Sequence, residues 1–180
     1  MAGRAKVPTL RAGYVWGVTR ILLGTVFLWA FVDKVFGLGF TTCRDAKTGV
    51  VSVMCNKAWL EGGSPSTGFL KFATTGPFGE FFQGLAGNVF LDWLFMVGLL
   101  GIGVALILGI GMRIAAYSGV LLLLLMFAAA LPPEHHPFVD EHIIYAVVLV
   151  GLWRVNKEQK LGLGSWWRKS ALVKRLPILE

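Results

Sequence analysis

Four apolar stretches run along the chain and set its architecture. They cover residues 13–37, 88–112, 114–131 and 140–154. A hydrocarbon core of about 30 Å takes about 20 helical residues, so the first three stretches predict transmembrane helices directly. The fourth is shorter, and it crosses the core only when its polar N-terminal end lies at the membrane surface. The pattern predicts an all-α membrane protein with a bundle of four transmembrane helices.

Residues 38–87, between the first two spans, predict a cap over one end of the bundle. Turn-forming residues followed by β-formers indicate a short hairpin from Thr41 to Asn56. Ser64-Pro65 is typical of a helix start. Phe78, Phe81, Phe82 and Leu85 are spaced to give a second short helix one apolar face. We expect these short helices to lie at the interface between the bundle and water.

Composition places the chain in the membrane class. Hydrophobic residues make up 56% of it and charged residues 15%, and the mean hydropathy is +0.68. These values exclude a soluble surface and a disordered chain. A net charge of +7 with such long apolar runs indicates basic membrane flanks rather than nucleic-acid binding. We interpret residues 1–180 as one membrane domain without a nucleic-acid partner.

The distribution of cations predicts the orientation. Eleven Lys and Arg residues outside the spans fall on the side of the two termini and only four on the side of residues 38–87. Because cytoplasmic flanks carry the excess of Lys and Arg, both termini are expected in the cytoplasm and the cap outside it. Residues 155–180 combine Trp166 and Trp167 with cations, which predicts a cytoplasmic amphipathic tail.

Cys43 and Cys55 are the two cysteines of the chain, and both fall in the predicted extracytoplasmic hairpin. An oxidising compartment and a hairpin that brings the two backbones together favour a structural disulfide. A redox-active pair and two free thiols are the alternatives. The eleven intervening residues do not resemble the Cys-x-x-Cys spacing of catalytic pairs.

Charged residues inside spans are costly unless they are paired or hydrated. Arg20 and Lys34, fourteen residues apart on the first span, can both face the bundle interior near opposite ends, whereas Asp33 is expected to point elsewhere. Each cation could instead snorkel to its nearer surface. A stripe of small residues in the second span, Gly101, Ala105 and Gly109, is expected to allow close helix packing.

The outer end of the fourth span gathers proton-active groups. Asp140, Glu141, His142 and Tyr145 follow one another closely, and Glu141 is expected to pair with Lys34 inside the bundle. Such a polar pocket could hold a quinone head group, whose carbonyls need hydrogen-bond donors. The alternative is helix capping by Asp140 with solvated histidines in the loop before it.

The same cluster does not predict a metal site. His135 and His136 are adjacent and converge only in a bent loop, and no His-x-x-x-His pair lies on a helix. The chain also shows no haem, flavin or nucleotide signature.

Several segments together resemble the DoxX/DoxD family of small bacterial membrane proteins, over about residues 13–170. The actinobacterial branch is the most similar. The segments are Arg20 to Gly24 with Asp33-Lys34, Ala58-Trp59-Leu60 with Gly63-Ser64-Pro65, Gly109 to Arg113, and Pro137 to His142.

The resemblance implies a place in the bacterial plasma membrane and a redox role. DoxD-type members are similar to the membrane subunit of thiosulfate:quinone oxidoreductase, and other DoxX-type members are associated with membrane oxidoreductase complexes. We therefore expect a subunit of a quinone-linked oxidoreductase, a thiosulfate dehydrogenase (quinone) being the example, with menaquinone or ubiquinone as cofactor and with partner subunits. The alternative is a non-catalytic subunit or assembly factor of a respiratory or redox-homeostasis complex.

In the catalytic hypothesis, two groups of residues form the site. Lys34, Glu141, His142 and Tyr145 line the quinone pocket. Arg20, Asp140, Phe81 and Phe82 contribute to quinone binding, the two phenylalanines as part of an aromatic gate.

Overall fold

The structure, a computed structural model, describes residues 9–133 and 135–180, with side chains from residue 12 onward. Helices are the regular secondary structure of these ranges, which contain no β-strand. The α-helices in chain order are α1 (Thr9–Phe36), α2 (Thr67–Phe72), α3 (Gly79–Gly84), α4 (Val89–Leu108), α5 (Met112–Ala129), α6 (Glu141–Arg154), α7 (Gly164–Trp167) and α8 (Ala171–Arg175). Short 3-10 turns lie at Trp59–Glu61, Gly76–Phe78 and Pro177–Leu179.

Three helices, α1, α4 and α5, are long and apolar enough to cross a membrane. They coincide with the first three predicted spans, and α4 stops at Leu108 because Gly109 adopts a left-handed conformation with φ 74°. The fourth helix, α6, has 14 residues. At about 1.5 Å per residue it is about 21 Å long, shorter than a hydrocarbon core of about 30 Å.

The four long helices pack as an antiparallel series, α1 on α4, α4 on α5 and α5 on α6. Their shared core is formed by Leu23, Phe27, Met96, Leu99, Ile102, Leu106, Leu123, Leu149 and Leu152. One end of the bundle carries residues 37–88 and is called the loop end below. The other end carries residues 155–180 and is called the tail end.

Close approach of α1 and α4 depends on two glycines. A Cβ on Gly103 would lie 2.8 Å from the backbone nitrogen of Leu28, and a Cβ on Gly24 would lie 2.9 Å from the Ile107 side chain. The predicted stripe is therefore wrong in its register: Gly101 is exposed and a Cβ there would have no neighbour within 4 Å. Gly109 does lie at a close contact, but with the Arg20 side chain.

The expected hairpin forms as a turn with a single antiparallel bridge, between Arg44 and Val51. The turn is held by Asp45, whose carboxylate accepts hydrogen bonds from the backbone and hydroxyl of Thr48 and from the backbone of Lys47. These bonds, the backbone bond from Thr48 first, lower the pKa of Asp45. The predicted disulfide between Cys43 and Cys55 is present, with a Cα–Cα separation of 5.7 Å. It packs on the end of α1, where a Cβ at Gly37 would overlap the sulfur of Cys43.

The tail folds back on the tail end of the bundle. The backbone N–H of Lys160 donates to Gly13 at 3.0 Å, that of Leu163 to Leu108 at 2.7 Å, and that of Arg113 to Glu180 at 2.9 Å. The segment is thus tied to α1, α4 and α5, and its short helices α7 and α8 lie across the end of the bundle.

Candidate functional site

Lys34 and Glu141 do not form the expected ion pair, since no Lys34 salt bridge within 4.0 Å occurs in the described residues. The Lys34 ammonium instead donates to Thr41 Oγ1 at 3.2 Å and lies 5.7 Å from the centre of the Phe95 ring. Glu141 is exposed. The pairing prediction failed because it compared positions along the spans, whereas the chain after α1 reverses and supplies a nearer partner.

Asp33 is the buried charge that the sequence reasoning missed. Its side chain is 1% exposed and accepts backbone N–H bonds from Phe40, Thr41 and Thr42, at 3.0, 2.9 and 3.1 Å, and a hydroxyl bond from Thr41 at 2.8 Å. Four donors compensate the desolvation of the carboxylate. The sequence signal for this contact was an aspartate at the end of a span. We call the four hydrogen bonds between Asp33 and residues 40–42 the Asp33 clasp.

Asp140 begins α6 and caps it. One oxygen accepts from the backbone N–H groups of His142 and Ile143 at 3.0 and 3.2 Å, and the other lies 2.7 Å from His142 Nδ1. Ligand atoms of Asp140, Glu141 and His142 lie within 4.8 Å of one another. The capping bonds account for the geometry of Asp140. Tyr145 packs against the hydrophobic core, one turn further along α6.

An apolar cavity of about 280 Å³ lies between α4 and α5 at the loop end, beneath α2 and α3. We call it the α4–α5 cavity. Its aromatic lining is Phe69, Phe82 and Phe95, and the rest is mainly aliphatic, from Leu70, Leu85, Leu91, Leu94, Gly98, Ile102, Leu121, Leu122, Leu125, Met126 and Ala129. The hydroxyl-bearing residues that line it are Ser66 and Ser118. Its volume is close to the lower limit of about 300 Å³ for small-molecule sites.

A larger hollow of about 570 Å³ is lined by Thr25, Val26, Leu28, Trp29 and Val32, all on α1. One helix face cannot enclose a ligand, so we regard the α4–α5 cavity as the better candidate despite its smaller volume.

Only one of the two predicted phenylalanines lines this cavity. Phe82 is buried and lines the cavity, whereas Phe81 is 66% exposed and touches Phe82 edge to face, with ring centres 5.3 Å apart. Lys34 is one side chain away, because it lies over the Phe95 ring that forms part of the lining. Among the residues predicted for a quinone site, Phe82 lines this cavity, with Phe81 and Lys34 next to its lining. The lining does not include Glu141, His142, Tyr145, Asp140 or Arg20.

A buried carboxylate stands behind the polar end of the cavity. Asp92 is 5% exposed, and its Oδ1 accepts from Ser64 Oγ at 2.9 Å, from the Ser66 backbone at 3.1 Å and from Ser66 Oγ at 2.5 Å. Ser64 was expected to cap a helix, but its hydroxyl donates to Asp92, and α2 begins later, at Thr67. Asp92 was not predicted as a site residue. An acid in the first turn of an apolar helix was its signal.

Arg20 lies at the tail end, far along α1 from Lys34. It is 1% exposed rather than snorkelling, and it donates to Gln159 Oε1 at 3.1 Å and to the carbonyl of Leu161 at 3.0 Å. A Cβ at Gly109 or Gly162 would overlap its guanidinium. Arg20 therefore joins α1, the end of α4 and the tail, and it takes no part in the α4–α5 cavity.

Comparison with known proteins gives no match: no protein-family model, no curated protein and no solved structure is significantly similar to this chain.

Proposed function

We propose that the chain is the membrane subunit of a quinone-linked oxidoreductase of the DoxX/DoxD type. The observation that carries this proposal is the α4–α5 cavity. It is an apolar space between two helices long and apolar enough to span a membrane, bordered by aromatic side chains and with a serine backed by a buried carboxylate at one end. A quinone has the matching chemistry, since its ring and isoprenoid tail are apolar and its oxygens are polar.

The cavity supplies a place for the ring and a route for a proton. Phe69, Phe82 and Phe95 offer flat apolar surfaces to the ring. The Ser66 hydroxyl donates its hydrogen bond to Asp92, so its lone pairs can accept a hydrogen bond from a quinol hydroxyl. A proton leaving the quinol can then pass through Ser66 to Asp92, and the reverse transfer serves quinone reduction.

The electrons come from outside the chain. Two thiosulfate ions that join to form tetrathionate release two electrons, and one quinone takes up these two electrons and two protons to become a quinol. The family resemblance suggests this donor, and a partner subunit would carry out the thiosulfate half of the reaction. The described residues of this chain contribute the quinone half of the reaction.

The membrane arrangement belongs to the same proposal. α6 crosses the bilayer together with residues 135–140, both termini lie in the cytoplasm, and residues 37–88 form a cap on the outer side of a bacterial plasma membrane. The support is the excess of cations at the tail end and the antiparallel pairing of α6 with α5.

Filling the cavity tests the proposal. Gly98 lines the cavity and Gly101 does not, yet both lie on α4 and a Cβ at either would have no neighbour within 4 Å. We expect Gly98→Leu to lower the quinone content of protein purified in mild detergent by about tenfold, or about 1.4 kcal/mol, while Gly101→Leu leaves it unchanged. The measurement is quinone extracted per mole of folded protein. Equal quinone content in the two variants would show that the cavity is not the quinone site.

The second candidate is a non-catalytic subunit or assembly factor, and Asp92 favours it. Its three hydrogen bonds already fasten the segment before α2 to the start of α4, which is sufficient reason for a buried acid. In that case Asp92→Asn destabilises the loop end, and wild-type protein purifies with partner chains but without quinone.

A further inference from the structure

The tail presents an unusual surface for a segment that is fastened at several points. Trp166 is 65% exposed, and Leu172, Leu176 and Ile178 are each about half exposed. Val173 and Gly164 point inward and are buried. The backbone bonds to α1, α4 and α5 and the grip of Arg20 on residues 159–161 hold the segment against the bundle. The tail therefore holds its outward apolar side chains in fixed positions.

Cations surround these apolar side chains. Residues 155–180 carry six Lys or Arg side chains and two Glu side chains, a net side-chain charge of +4. Glu180 is engaged by Lys157 at 3.6 Å. Lys169, Lys174 and Arg175 are exposed, and their side chains make no hydrogen bond or salt bridge within the described residues. They are free to act on something outside the chain.

We propose that the tail is a docking surface for anionic phospholipid, with Trp166, Leu172, Leu176 and Ile178 entering the headgroup region and Lys169, Lys174 and Arg175 contacting lipid phosphates. Exposed tryptophan and leucine next to cations match an anionic interface in both polarity and charge. Juxtamembrane cations each contribute about fivefold to binding at such a surface. The proposal is independent of the quinone hypothesis, because it involves the opposite end of the bundle.

The loop end provides the contrast within the same molecule. Residues 38–87 carry four cationic and three acidic side chains, which nearly cancel. Exposed aromatic residues such as Phe72 and Phe81 occur there too. If exposed apolar residues alone determined lipid preference, the two ends would behave alike, so the difference in charge is what the experiment isolates.

The test uses the full chain in nanodiscs of phosphatidylcholine alone or of phosphatidylcholine mixed with phosphatidylglycerol. Leu172→Cys carries a spin label whose accessibility to oxygen and to a water-soluble nickel complex reports its depth. Ala46→Cys, exposed in the hairpin turn, carries the control label. Because both leaflets have the same lipid, the result does not depend on orientation.

We expect the label at residue 172 to move from water into the lipid interface when phosphatidylglycerol is present, and the label at residue 46 to stay in water. Replacing Lys169, Lys174 and Arg175 with glutamine should weaken the association by on the order of a hundredfold. The same replacement of Arg44, Lys47 and Lys57 should not. Salt near 1 M, where the screening length is about 3 Å, should also weaken it.

Three results would overturn the proposal. A label at residue 172 that stays in water in both lipids would show that the tail does not touch the membrane. Equal depth in both lipids would show that the contact is apolar and does not depend on anionic headgroups. Burial that appears only at a high ratio of protein to lipid would indicate a second copy of the chain as the partner.

Discussion

At the scale of single residues, Arg20, Asp33 and Lys34 of α1 form their hydrogen bonds with a loop or with the tail rather than with another span. Asp33 takes its donors from residues 40–42, and Arg20 takes its acceptors from residues 159–161. The sequence identified Arg20 and Lys34 as costly in lipid. It could not identify their partners, because the partner of Lys34 depends on the reversal of the chain at Gly37 and Gly39, both with positive φ, and those of Arg20 depend on the tail folding back onto the bundle.

The clasp at Asp33 gives a first prediction. Asp33→Asn exchanges a carboxylate that accepts four hydrogen bonds for an amide whose NH₂ group faces donors. We expect a loss of about 2–4 kcal/mol in the stability of the loop end, since bonds to charged acceptors are the strong ones. Thermal unfolding in detergent measures it. Lys34→Gln is the control and should cost under about 1 kcal/mol; equal losses in the two variants would refute the clasp.

Arg20 gives a second prediction, about the tail. Arg20→Lys keeps the positive charge but cannot reproduce two bonds from one planar guanidinium, to Gln159 and to Leu161. Residues 155–164 should detach more often, and trypsin should cleave at Lys157 and Lys160 about tenfold faster, which corresponds to about 1.4 kcal/mol. Arg154→Lys, on the exposed end of α6, also preserves the charge and the trypsin site. Its cleavage rate should match the wild type, and a similar rate for Arg20→Lys would contradict the proposed role.

At the scale of elements, the apolar pattern predicted the long helices, and it also predicted the two short helices between the first two spans, which form as α2 and α3. The ends of α4 and α6 follow local rules, a glycine at residue 109 and a capping aspartate at residue 140, which a sequence displays directly. The hairpin was expected from its turn residues, and it forms with a single bridge, the Asp45 turn and the disulfide. The α4–α5 cavity was not predicted, since it depends on where α2 and α3 rest.

The disulfide supports a third prediction. Replacing Cys43 and Cys55 with serine removes a link across a separation of 12 residues, and the hairpin should lose about 2–4 kcal/mol, mainly because the unfolded segment becomes less restricted. Limited proteolysis of residues 41–56 measures the loss, and quinone content is followed separately. A structural bridge predicts faster cleavage with quinone content little changed. Abolished redox activity on a protease-resistant hairpin would mean that the pair carries electrons.

Packing of α1 on α4 supports a fourth prediction. A methyl group at Gly103 meets the backbone of Leu28 at 2.8 Å, where no flexible side chain can move aside. Gly103→Ala should therefore destabilise the bundle by about 1–3 kcal/mol through overpacking. Gly101→Ala, two residues away with open space around it, should be neutral or slightly stabilising. Comparing the melting temperatures of the two variants checks the register, which the small-residue stripe alone placed on the wrong residues.

At the scale of the whole molecule, the two ends of the bundle differ in kind. The loop end holds buried acids, Asp33 and Asp92, that fasten residues 37–88 to the helices beside an apolar cavity. The tail end holds a buried arginine and an excess of exposed cations. Such an asymmetry fits a protein whose two ends face different compartments, and the positive end is expected on the cytoplasmic side.

Placing residues 155–180 and residues 37–88 on opposite sides of the membrane requires α6 to cross it, and this requirement provides the last prediction. The helix alone is about 21 Å long, so residues 135–140 must lie within the outer interface for it to reach across. Its close antiparallel packing on α5 favours a full crossing, since Gly119 of α5 lies against Leu149 in the middle of α6. A reporter that is active only in the cytoplasm, fused in turn after residues 60, 111, 136 and 180, should be inactive at the first and third positions. It should be active at the second and fourth. Activity that is the same at 136 and 180 would show that α6 does not cross, and a fully reversed pattern would show that the cation distribution does not set the orientation.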